Sequence, residues 1–293
     1  MNVTIRDVVA RDGLQGERAV DVERRVELVR RLAGAGLTEI EAAAFVSPKA
    51  VPAMAGAAEV VQRVAAELPG VHLWALVPNA KGAELATAAG VERLTITVSA
   101  SERYSQKNTH MSRDEALAQL PAIRSTAPGA VCDLVISFAF GSAYGNEAIT
   151  PNDVAAVAAR AAGEGIDRVT LADTTGVATP RMVNELLDVT GPDVGLHVHD
   201  TRGTALLNAW TAIEHGVRRF DTALGGLGGS PFAPTSGGNL ATEDLVALLD
   251  DAGIDTGIDL EALIETGPYL RDLVGHDIPS RTAAAMAPEK RSP

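Results

Sequence analysis

The sequence has little cysteine and few aromatic residues, with one cysteine, Cys132, and 3% Phe, Trp and Tyr among 293 residues. A single cysteine excludes an intrachain disulfide, and its setting in VCDLVISF predicts a buried thiol on a strand. No apolar run reaches the roughly 18 residues that a membrane-spanning helix needs, and the opening MNVTIRDVV is typical of a strand rather than of a secretory leader. We therefore expect a protein of the reducing cytoplasm that binds no membrane.

Basic residues are also scarce, with 25 Lys and Arg against 38 Asp and Glu and a formal net charge of −13. Such a charge repels nucleic acid, so we expect no nucleic-acid partner. An anionic ligand would need cations or a metal ion concentrated at its site. Small aliphatic residues dominate the 46% hydrophobic fraction, and this composition favours a packed globular chain over a disordered one.

Segments rich in strand-forming residues alternate along the chain with amphipathic or alanine-rich segments. Eight strands are predicted, at 3–9, 37–42, 71–77, 91–98, 131–139, 166–172, 194–199 and 217–223. Helices are predicted at 21–35, 53–68, 80–89, 112–125, 151–164, 180–190, 203–215 and 241–252, with a further helix at 259–273.

Eight such units with mostly apolar strands predict a parallel sheet that is buried on both faces and closed on itself. This is the α/β class of (β/α)8 or TIM barrel. An open doubly wound sheet is the alternative, but RDGLQGE after the first strand lacks the G-x-G-x-x-G phosphate loop. No linker or repeat is visible, so we predict a single domain over 1–285 with an extra C-terminal helix and a polar tail at 286–293.

The sharpest local signal is HVHD at 197–200. Residues i and i+2 of a strand share a face, so His197 and His199 are predicted to project together into the barrel mouth. With Asp12 after the first strand they would form a metal site with positions open to water and substrate. Such ligands suit Mg²⁺ or Mn²⁺ better than Zn²⁺ or Fe²⁺. A hydrogen-bonded histidine pair is the structural alternative.

Residues that directly follow barrel strands face the functional rim. Arg11 is interpreted as a donor to a thioester carbonyl or its enolate, and Glu41 as an acceptor from Arg11 or from a metal-bound water. Asp173 is interpreted as a group that orients Thr174, Arg11 or the substrate. A surface ion pair for Arg11 and structural roles for the two carboxylates are the alternatives. The remaining rim candidates are Lys49, Asn79, Lys81 and Lys107. The three lysines either bind a phosphate-bearing cofactor or are solvated surface residues.

Six glycines lie within GGLGGSPFAPTSGG at 225–238. They predict either a rim loop that closes over substrate, with Gly228 and Gly229 among its contacts, or a plain flexible connection. Asn239 follows directly. It is predicted to give an oxygen to the metal ion or to cap the next helix, LATEDLVALL.

Six segments together resemble the 3-hydroxy-3-methylglutaryl-CoA lyase family: ARDGLQGE (10–17), IEAAAFVSPKAVPAM (40–54), ASERYSQKN (100–108), LADTTGVATP (171–180), HVHDTRGTALLN (197–208) and GLGGSPFAPTSGGNLATEDLV (226–246). They follow the order of the family and span the whole predicted barrel. The combination of RDGLQ, FVSPK and GNLATEDL is specific to the lyase branch of the metal-dependent acyl-CoA lyases and condensing enzymes.

The resemblance implies Mg²⁺ or Mn²⁺ as cofactor, with the ligands Asp12, His197, His199 and Asn239. It implies that Arg11 holds the substrate carbonyl and that Glu41 and Asp173 are active-site carboxylates. It also implies an acyl-CoA substrate with its CoA at the rim, a homodimer, and a part in leucine degradation. The reaction would cleave a 3-hydroxyacyl-CoA to acetyl-CoA and a keto acid by a retro-Claisen or aldol-type cleavage.

Three positions depart from the family. Ser230 replaces the proton-transferring cysteine of GLGGC, Arg202 replaces the tyrosine of HDTYG, and GSAYGN at 141–146 lacks the Cys-Pro pair. A thiol ionises at about pH 8.5 and a hydroxyl several units higher, so serine can relay a proton but is the poorer acid. His197, Asp12 or a metal-bound water is the alternative carrier of that proton. Arg202 predicts altered substrate contacts.

The serine leaves several functions open. The chain can be a slower lyase of the same kind, or a lyase or condensing enzyme for another acyl-CoA or for a hydroxy acid without CoA. A metal hydrolase or aldolase that acts on a substrate without CoA is a further alternative, which RDGLQ and FVSPK disfavour. The chain can also be an acyl-CoA-binding relative with weakened catalysis. The complete set of predicted metal ligands favours the enzymes over the binding protein.

Overall fold

The computed structural model describes residues 2–142, 144, 147–229 and 237–286. Eight parallel strands pair in sequence order, and the last pairs with the first, so that the sheet closes into a barrel. The strands are β1 Thr4–Asp7, β2 Glu39–Ala44, β3 His72–Leu76, β4 Arg93–Ser99, β5 Val131–Ser137, β6 Arg168–Asp173, β7 Gly195–Val198 and β8 Arg219–Thr222. The predicted (β/α)8 barrel is confirmed, and the open sheet is excluded.

Helices surround the barrel: α1 Val22–Gly34, α2 Ala57–Glu67, α3 Ala80–Ala88, α4 Glu102–Thr109, α5 Arg113–Leu117, α6 Leu120–Thr126, α7 Pro151–Gly163, α8 Pro180–Thr190, α9 Ala205–His215, α10 Thr242–Asp251, α11 Leu260–Val274 and α12 Arg281–Met286. The single helix predicted at 112–125 is wrong. The structure has two helices there, because α5 ends at Leu117 and α6 begins at Leu120, with Pro121, which has no N–H to donate, in its first turn. Sequence reasoning also missed α4 and α12. Within the described residues, none of the helices is both long and apolar enough to cross a membrane.

The core lies between the strands and the apolar faces of the helices. All six residues of β2 are buried, as a parallel sheet covered on both faces requires. In α8 the buried positions Val183, Leu186 and Leu187 repeat at the spacing of one helix face. Burying each such side chain stabilises the fold by about 1.5–3 kcal/mol.

Two backbone irregularities shape the mouth of the barrel, where the strands end. The strand β1 ends at Asp7, whose Oδ1 accepts from the Val9 N–H at 2.8 Å, and the chain then makes one π-helical turn over Val9–Gly13. In β2 the register shifts between Glu41 and Ala43. The buried Arg25 donates to the Ala42 carbonyl at 3.3 Å beside this bulge. Such irregularities re-aim side chains near functional sites.

Two buried carboxylates, those of Asp7 and Glu243, hold the N-terminal end of the glycine-rich segment. Asp7 Oδ2 accepts from the Leu224 N–H at 2.9 Å and from Thr242 Oγ1 at 2.6 Å. Both oxygens of Glu243 accept from the Gly225 N–H, at 3.0 and 2.9 Å. Burial raises the pKa of Asp7 to about 6 and that of Glu243 to about 8.

We expect Glu243→Gln to flatten the pH dependence of stability above pH 6. Because burial raises the pKa of Glu243 from 4.5 to about 8, its stabilising contribution is complete below 4.5 and is lost as the pH rises through about 8. Glutamine still accepts from Gly225 and carries no charge to desolvate. Melting temperatures recorded between about pH 6 and about pH 9 measure the effect.

Glu265→Gln, at an exposed position of α11, is the matched control and should follow the wild type. If the Glu243→Gln protein lost stability with pH in parallel with the wild type, the burial of this carboxylate would not be the cause.

Candidate active site

Asp12, His197 and His199 come together, buried, at the mouth of the barrel. Each offers one ligand atom, and these atoms lie within 4.8 Å of one another. The π-helical turn after β1 carries Asp12, while His197 belongs to β7 and His199 directly follows it. The imidazole centroids are 5.1 Å apart. The predicted juxtaposition of the two histidines with Asp12 is therefore present.

His199 has a nitrogen free for a ligand. Its Nδ1 lies 2.8 Å from the carbonyl oxygen of Asp173, to which it donates as Nδ1–H. Its Nε2 is buried without a hydrogen-bond partner among the described residues. Burial and the neighbouring His197 lower the pKa of His199 to about 4. The ring is thus neutral near pH 7, with an unused lone pair, which is the state that binds a metal ion.

The second ring, His197, is held by a carboxylate. Its Nδ1 lies 3.2 Å from Asp221 Oδ2, so that Nε2 is the nitrogen left for a ligand. Burial lowers the pKa of His197, but the hydrogen bond and charge of Asp221, together with Asp12, outweigh burial and raise it above its usual value. A raised pKa means that a proton is readily held at Nε2, and a metal ion bound there would take its place.

The Asp12 carboxylate receives donors from both sides. Oδ1 accepts from Arg11 Nη1 at 2.7 Å and from Gln15 Nε2 at 2.8 Å, and Oδ2 accepts from Asn239 Nδ2 at 2.7 Å. Burial raises the pKa of Asp12, but Arg11 and the two histidines outweigh it and lower the pKa below the usual value. Asp12 is therefore ionised at neutral pH.

Asn239 ties the glycine-rich segment to Asp12. Its amide nitrogen also donates to the Leu227 carbonyl at 2.8 Å. The predicted capping role of Asn239 is wrong, since the N-cap of α10 is Ala241. Its backbone forms an isolated bridge with His199. Ligation through the amide oxygen stays a prediction.

Gly228 lies against this group and cannot carry a side chain. A Cβ there would lie 2.2 Å from Asn239 Nδ2 and 2.9 Å from Asp12 Oδ2, and its φ of +118° also favours glycine. A free imidazole nitrogen, an ionised carboxylate and a closely approaching backbone fit a divalent ion. The neighbouring Gly229 is described, but Ser230 lies outside the described residues, as do parts of GSAYGN.

Arg11 is fixed by two carboxylates. Its Nε donates to Glu41 Oε2 at 2.5 Å and its Nη1 to Asp12 Oδ1 at 2.7 Å. At 8% exposure it is not the surface ion pair that was the alternative. The other oxygen of Glu41, Oε1, is buried and has no partner in the described part of the chain. The three side chains sum to one negative charge, which favours a cation nearby.

Several predicted substrate contacts make local bonds. Asp173 accepts from the Val177 and Ala178 N–H groups, each at 2.9 Å, and burial raises its pKa to about 6 against these bonds. Thr174 Oγ1 accepts from the Phe138 N–H at 2.8 Å. These two residues shape the rim between β5 and β7, and the carbonyl oxygen of Asp173 orients His199.

The remaining candidates lie further out on the rim. Lys49, Asn79, Lys107 and Arg202 are exposed. Asn79 caps α3 by accepting from the Gly82 N–H at 3.0 Å. Arg202 donates from Nε to the Gly176 carbonyl at 3.1 Å and from Nη2 to the Val177 carbonyl. Two of its donors thus hold the loop after β6, and a contact of any of these residues with substrate stays a prediction.

Two residues of the site were missed by sequence reasoning. Gln15, three positions after Asp12, donates to its carboxylate. Asp221 lies in the predicted strand at 217–223 and bonds His197. Glu41 also lies inside a predicted strand, at 37–42, and an ionisable residue at such a position is costly unless it has a partner, so the same signal points to Asp221.

Known proteins share this architecture. The HMGL-like family model matches residues 2–269. The chain belongs to the HMGL-like family. It is 39% identical to an (R)-citramalyl-CoA lyase of Chloroflexus aurantiacus, over 97% of this chain and 94% of that protein. It is 38% identical to the hydroxymethylglutaryl-CoA lyase of Pseudomonas mevalonii, over 97% of each chain.

A solved structure of the family is equally similar. The HMG-CoA lyase of Acinetobacter baumannii, in complex with coenzyme A and 3-methylmalate, superposes with a TM-score of 0.91 at 37% identity. The match covers 99% of this chain and 97% of that one. The resemblance to hydroxymethylglutaryl-CoA lyases is therefore confirmed.

His199→Ala is expected to weaken Mn²⁺ binding by at least about tenfold, because it removes the unpartnered nitrogen from the buried group. Isothermal titration calorimetry of the metal-free protein measures the change. His72→Ala, at the exposed start of β3 on the opposite end of the barrel, is the control and should bind like the wild type. Equal affinities for all three proteins would rule out His199 as a ligand.

Proposed function

We propose that this HMGL-like chain is a divalent-metal-dependent carbon–carbon lyase that cleaves a 3-hydroxyacyl-CoA to acetyl-CoA and a keto acid. The observation that carries the proposal is the buried group of Asp12, His197 and His199, with His199 Nε2 unpartnered among the described residues. Relatives named for two different acyl groups, citramalyl and hydroxymethylglutaryl, are 39% and 38% identical. The substrate is 3-hydroxy-3-methylglutaryl-CoA or a close relative.

The cleavage needs two proton transfers. The 3-hydroxyl gives its proton to Glu41 Oε1, directly or through a water molecule, as the bond between C2 and C3 breaks, and the oxygen electrons form the carbonyl of the keto product. The bonding pair remains on the acetyl thioester as an enolate, which then takes a proton at C2. When bound by Asp12, His197 and His199, a Mg²⁺ or Mn²⁺ ion supplies Lewis acidity toward substrate oxygen. Asn239 is a further ligand in this proposal.

Arg11 is the proposed hydrogen-bond donor to the thioester oxygen of the substrate. Glu41 and Asp12 hold its guanidinium plane, so its remaining donors need no reorganisation when substrate binds. The enolate oxygen carries more negative charge than the thioester carbonyl, and the hydrogen bond therefore strengthens as the bond breaks. The unpartnered Oε1 of Glu41 is an acceptor for the substrate hydroxyl or for a water molecule.

Ser230 carries the proton to C2 in this proposal. It stands in the sequence where the family has its proton-transferring cysteine. A serine hydroxyl can give up one proton while it accepts another, so that no free alkoxide forms. Lys49, Asn79, Lys107, Asp173, Thr174, Arg202, Gly228 and Gly229 are the proposed contacts to the acyl group and CoA. A cytoplasmic homodimer that acts in leucine degradation completes the proposal.

Turnover of a panel of acyl-CoA thioesters tests the lyase function. The wild type and Ser230→Cys are each incubated with 3-hydroxy-3-methylglutaryl-CoA or citramalyl-CoA, with Mg²⁺ or Mn²⁺, and acetyl-CoA is measured by chromatography. We expect metal-dependent release that a chelator abolishes. The keto product, acetoacetate or pyruvate, identifies the preferred acyl group.

Two outcomes would change the proposal. If neither protein releases acetyl-CoA from any 3-hydroxyacyl-CoA, the lyase function is wrong. If only Ser230→Cys releases it, the native substrate or reaction differs from that of the hydroxymethylglutaryl-CoA lyases.

Arg11→Lys is expected to lower kcat by about 100-fold, because lysine cannot reproduce a planar donor held by two carboxylates. KM should change much less, since the lost contact strengthens only as the enolate forms. Steady-state kinetics measure both constants. Arg31→Lys, an exposed pair with Glu27 on α1, is the control and should match the wild type. An unchanged kcat in Arg11→Lys would exclude this role.

A further inference from the structure

Four buried side chains form a continuous row from His197 into the barrel. His197 Nδ1 lies 3.2 Å from Asp221 Oδ2. Arg6 binds the same carboxylate through two donors, Nε to Oδ1 at 2.8 Å and Nη2 to Oδ2 at 2.9 Å. Arg6 Nη2 also lies 2.9 Å from Asp133 Oδ2. The row crosses four strands, β7, β8, β1 and β5.

We propose that Asp221, oriented by Arg6, is a positioning residue that holds His197 in the tautomer and orientation that ligate a metal ion. The inference rests on the metal site of the proposed function. A neutral imidazole has one protonated nitrogen, and an ionised carboxylate can only accept. Asp221 therefore keeps the proton on Nδ1 and leaves the Nε2 lone pair for the ion.

Arg6 prevents Asp221 from turning away. A bidentate guanidinium fixes both carboxylate oxygens at once, and it supplies the charge that keeps Asp221 an acceptor. Arg6 is itself fixed, because Asp133 pairs with it and the Trp74 ring centroid lies 4.6 Å from its guanidinium carbon. The orientation of His197 is thus set by barrel strands and not by the loops of the mouth.

The two histidines differ in this respect. His199 donates to the neutral carbonyl of Asp173 at 2.8 Å, whereas His197 donates to a carboxylate. An anionic acceptor makes the opposite nitrogen the more basic ligand. The contribution of His197 to metal binding therefore depends on Asp221.

Asp221→Asn tests the role because an amide cannot satisfy both neighbours. With its oxygen in the place of Oδ2, its NH2 group faces the Arg6 Nε donor. With the oxygen in the place of Oδ1, its NH2 group faces Arg6 Nη2 and forces the proton of His197 onto Nε2. Either arrangement is expected to weaken Mn²⁺ binding by about 10- to 100-fold in calorimetry.

A spectroscopic readout separates positioning from loss of structure. In long-range proton–nitrogen spectra of Mg²⁺-saturated protein labelled at histidine, the wild type should show His197 protonated at Nδ1 only. Asp221→Asn should change the His197 signals, while the signals of the His199 ring nitrogens should stay as in the wild type. Arg6→Lys retains the charge with a single contact, and we expect a smaller loss of Mn²⁺ affinity, of about three- to tenfold.

Asp133→Asn is the matched control. It makes the same change of charge beside the same arginine, and the asparagine oxygen can still accept from Arg6 Nη2, so Arg6 stays in place. Asp133 contacts Thr170 and Arg6, and its contacts do not include His197. It should lower the melting temperature while the Mn²⁺ affinity stays within about threefold of wild type. Should Asp221→Asn fail to fold, Arg6→Lys and Asp133→Asn still give the comparison.

The outcomes are distinct. Equal Mn²⁺ binding by the wild type, Asp221→Asn and Arg6→Lys overturns the positioning role and leaves the proposed lyase intact. A loss as large in Asp133→Asn as in Asp221→Asn also overturns it, because the effect would then be general to the row. A wild type that binds no Mn²⁺ overturns the metal site and this inference together.

Discussion

The carboxylate of Asp12 organises the mouth of the barrel. Its donors come from three side chains, Arg11, Gln15 and Asn239. Through Arg11 it reaches Glu41 on the next strand, and through Asn239 it reaches the carbonyl of Leu227 at the start of the glycine-rich segment. One ionised group thereby joins parts of the chain that lie more than 200 positions apart. Its charge also lies beside the two imidazoles, where a cation is favoured.

Irregular backbone brings that carboxylate into place. A regular strand continued past Asp7 would alternate its side chains between barrel and helices, whereas the π-helical turn over Val9–Gly13 carries Arg11 and Asp12 into the mouth together. The register shift in β2 lies beside Glu41, and the absence of a side chain at Gly228 lets the backbone approach Asn239 and Asp12. Both features also place groups of the site. The regular barrel supplies rigidity, and the departures from regularity supply the geometry of the site.

Much of this was predictable from the sequence, because it depends on side-chain periodicity. The alternation of strands and helices indicates the barrel, and the i, i+2 spacing of His197 and His199 places both rings together. Much of what escaped prediction depends on the backbone. Every residue has a carbonyl, so nothing in the sequence marks that of Asp173 as the acceptor for His199. The cap of α10 at Ala241 likewise is not marked by residue type. The break near Pro121 is different, because a proline without an N–H marks it in the sequence and the prediction overlooked it.

The hydrogen bond between His197 and Asp221 joins two strands of the barrel, β7 and β8, whereas Arg202 lies in the loop between β7 and α9. Loops tolerate substitution far better than the strands of a closed sheet. Evolution can therefore exchange the rim of such a barrel, and the acyl group it accepts, while the strand-borne imidazole keeps its setting. Proteins descended from one ancestor can then differ in substrate while the residues that hold the metal ion stay the same. This separation between a variable rim and a fixed metal site agrees with relatives that are named as lyases of two different thioesters, citramalyl-CoA and hydroxymethylglutaryl-CoA.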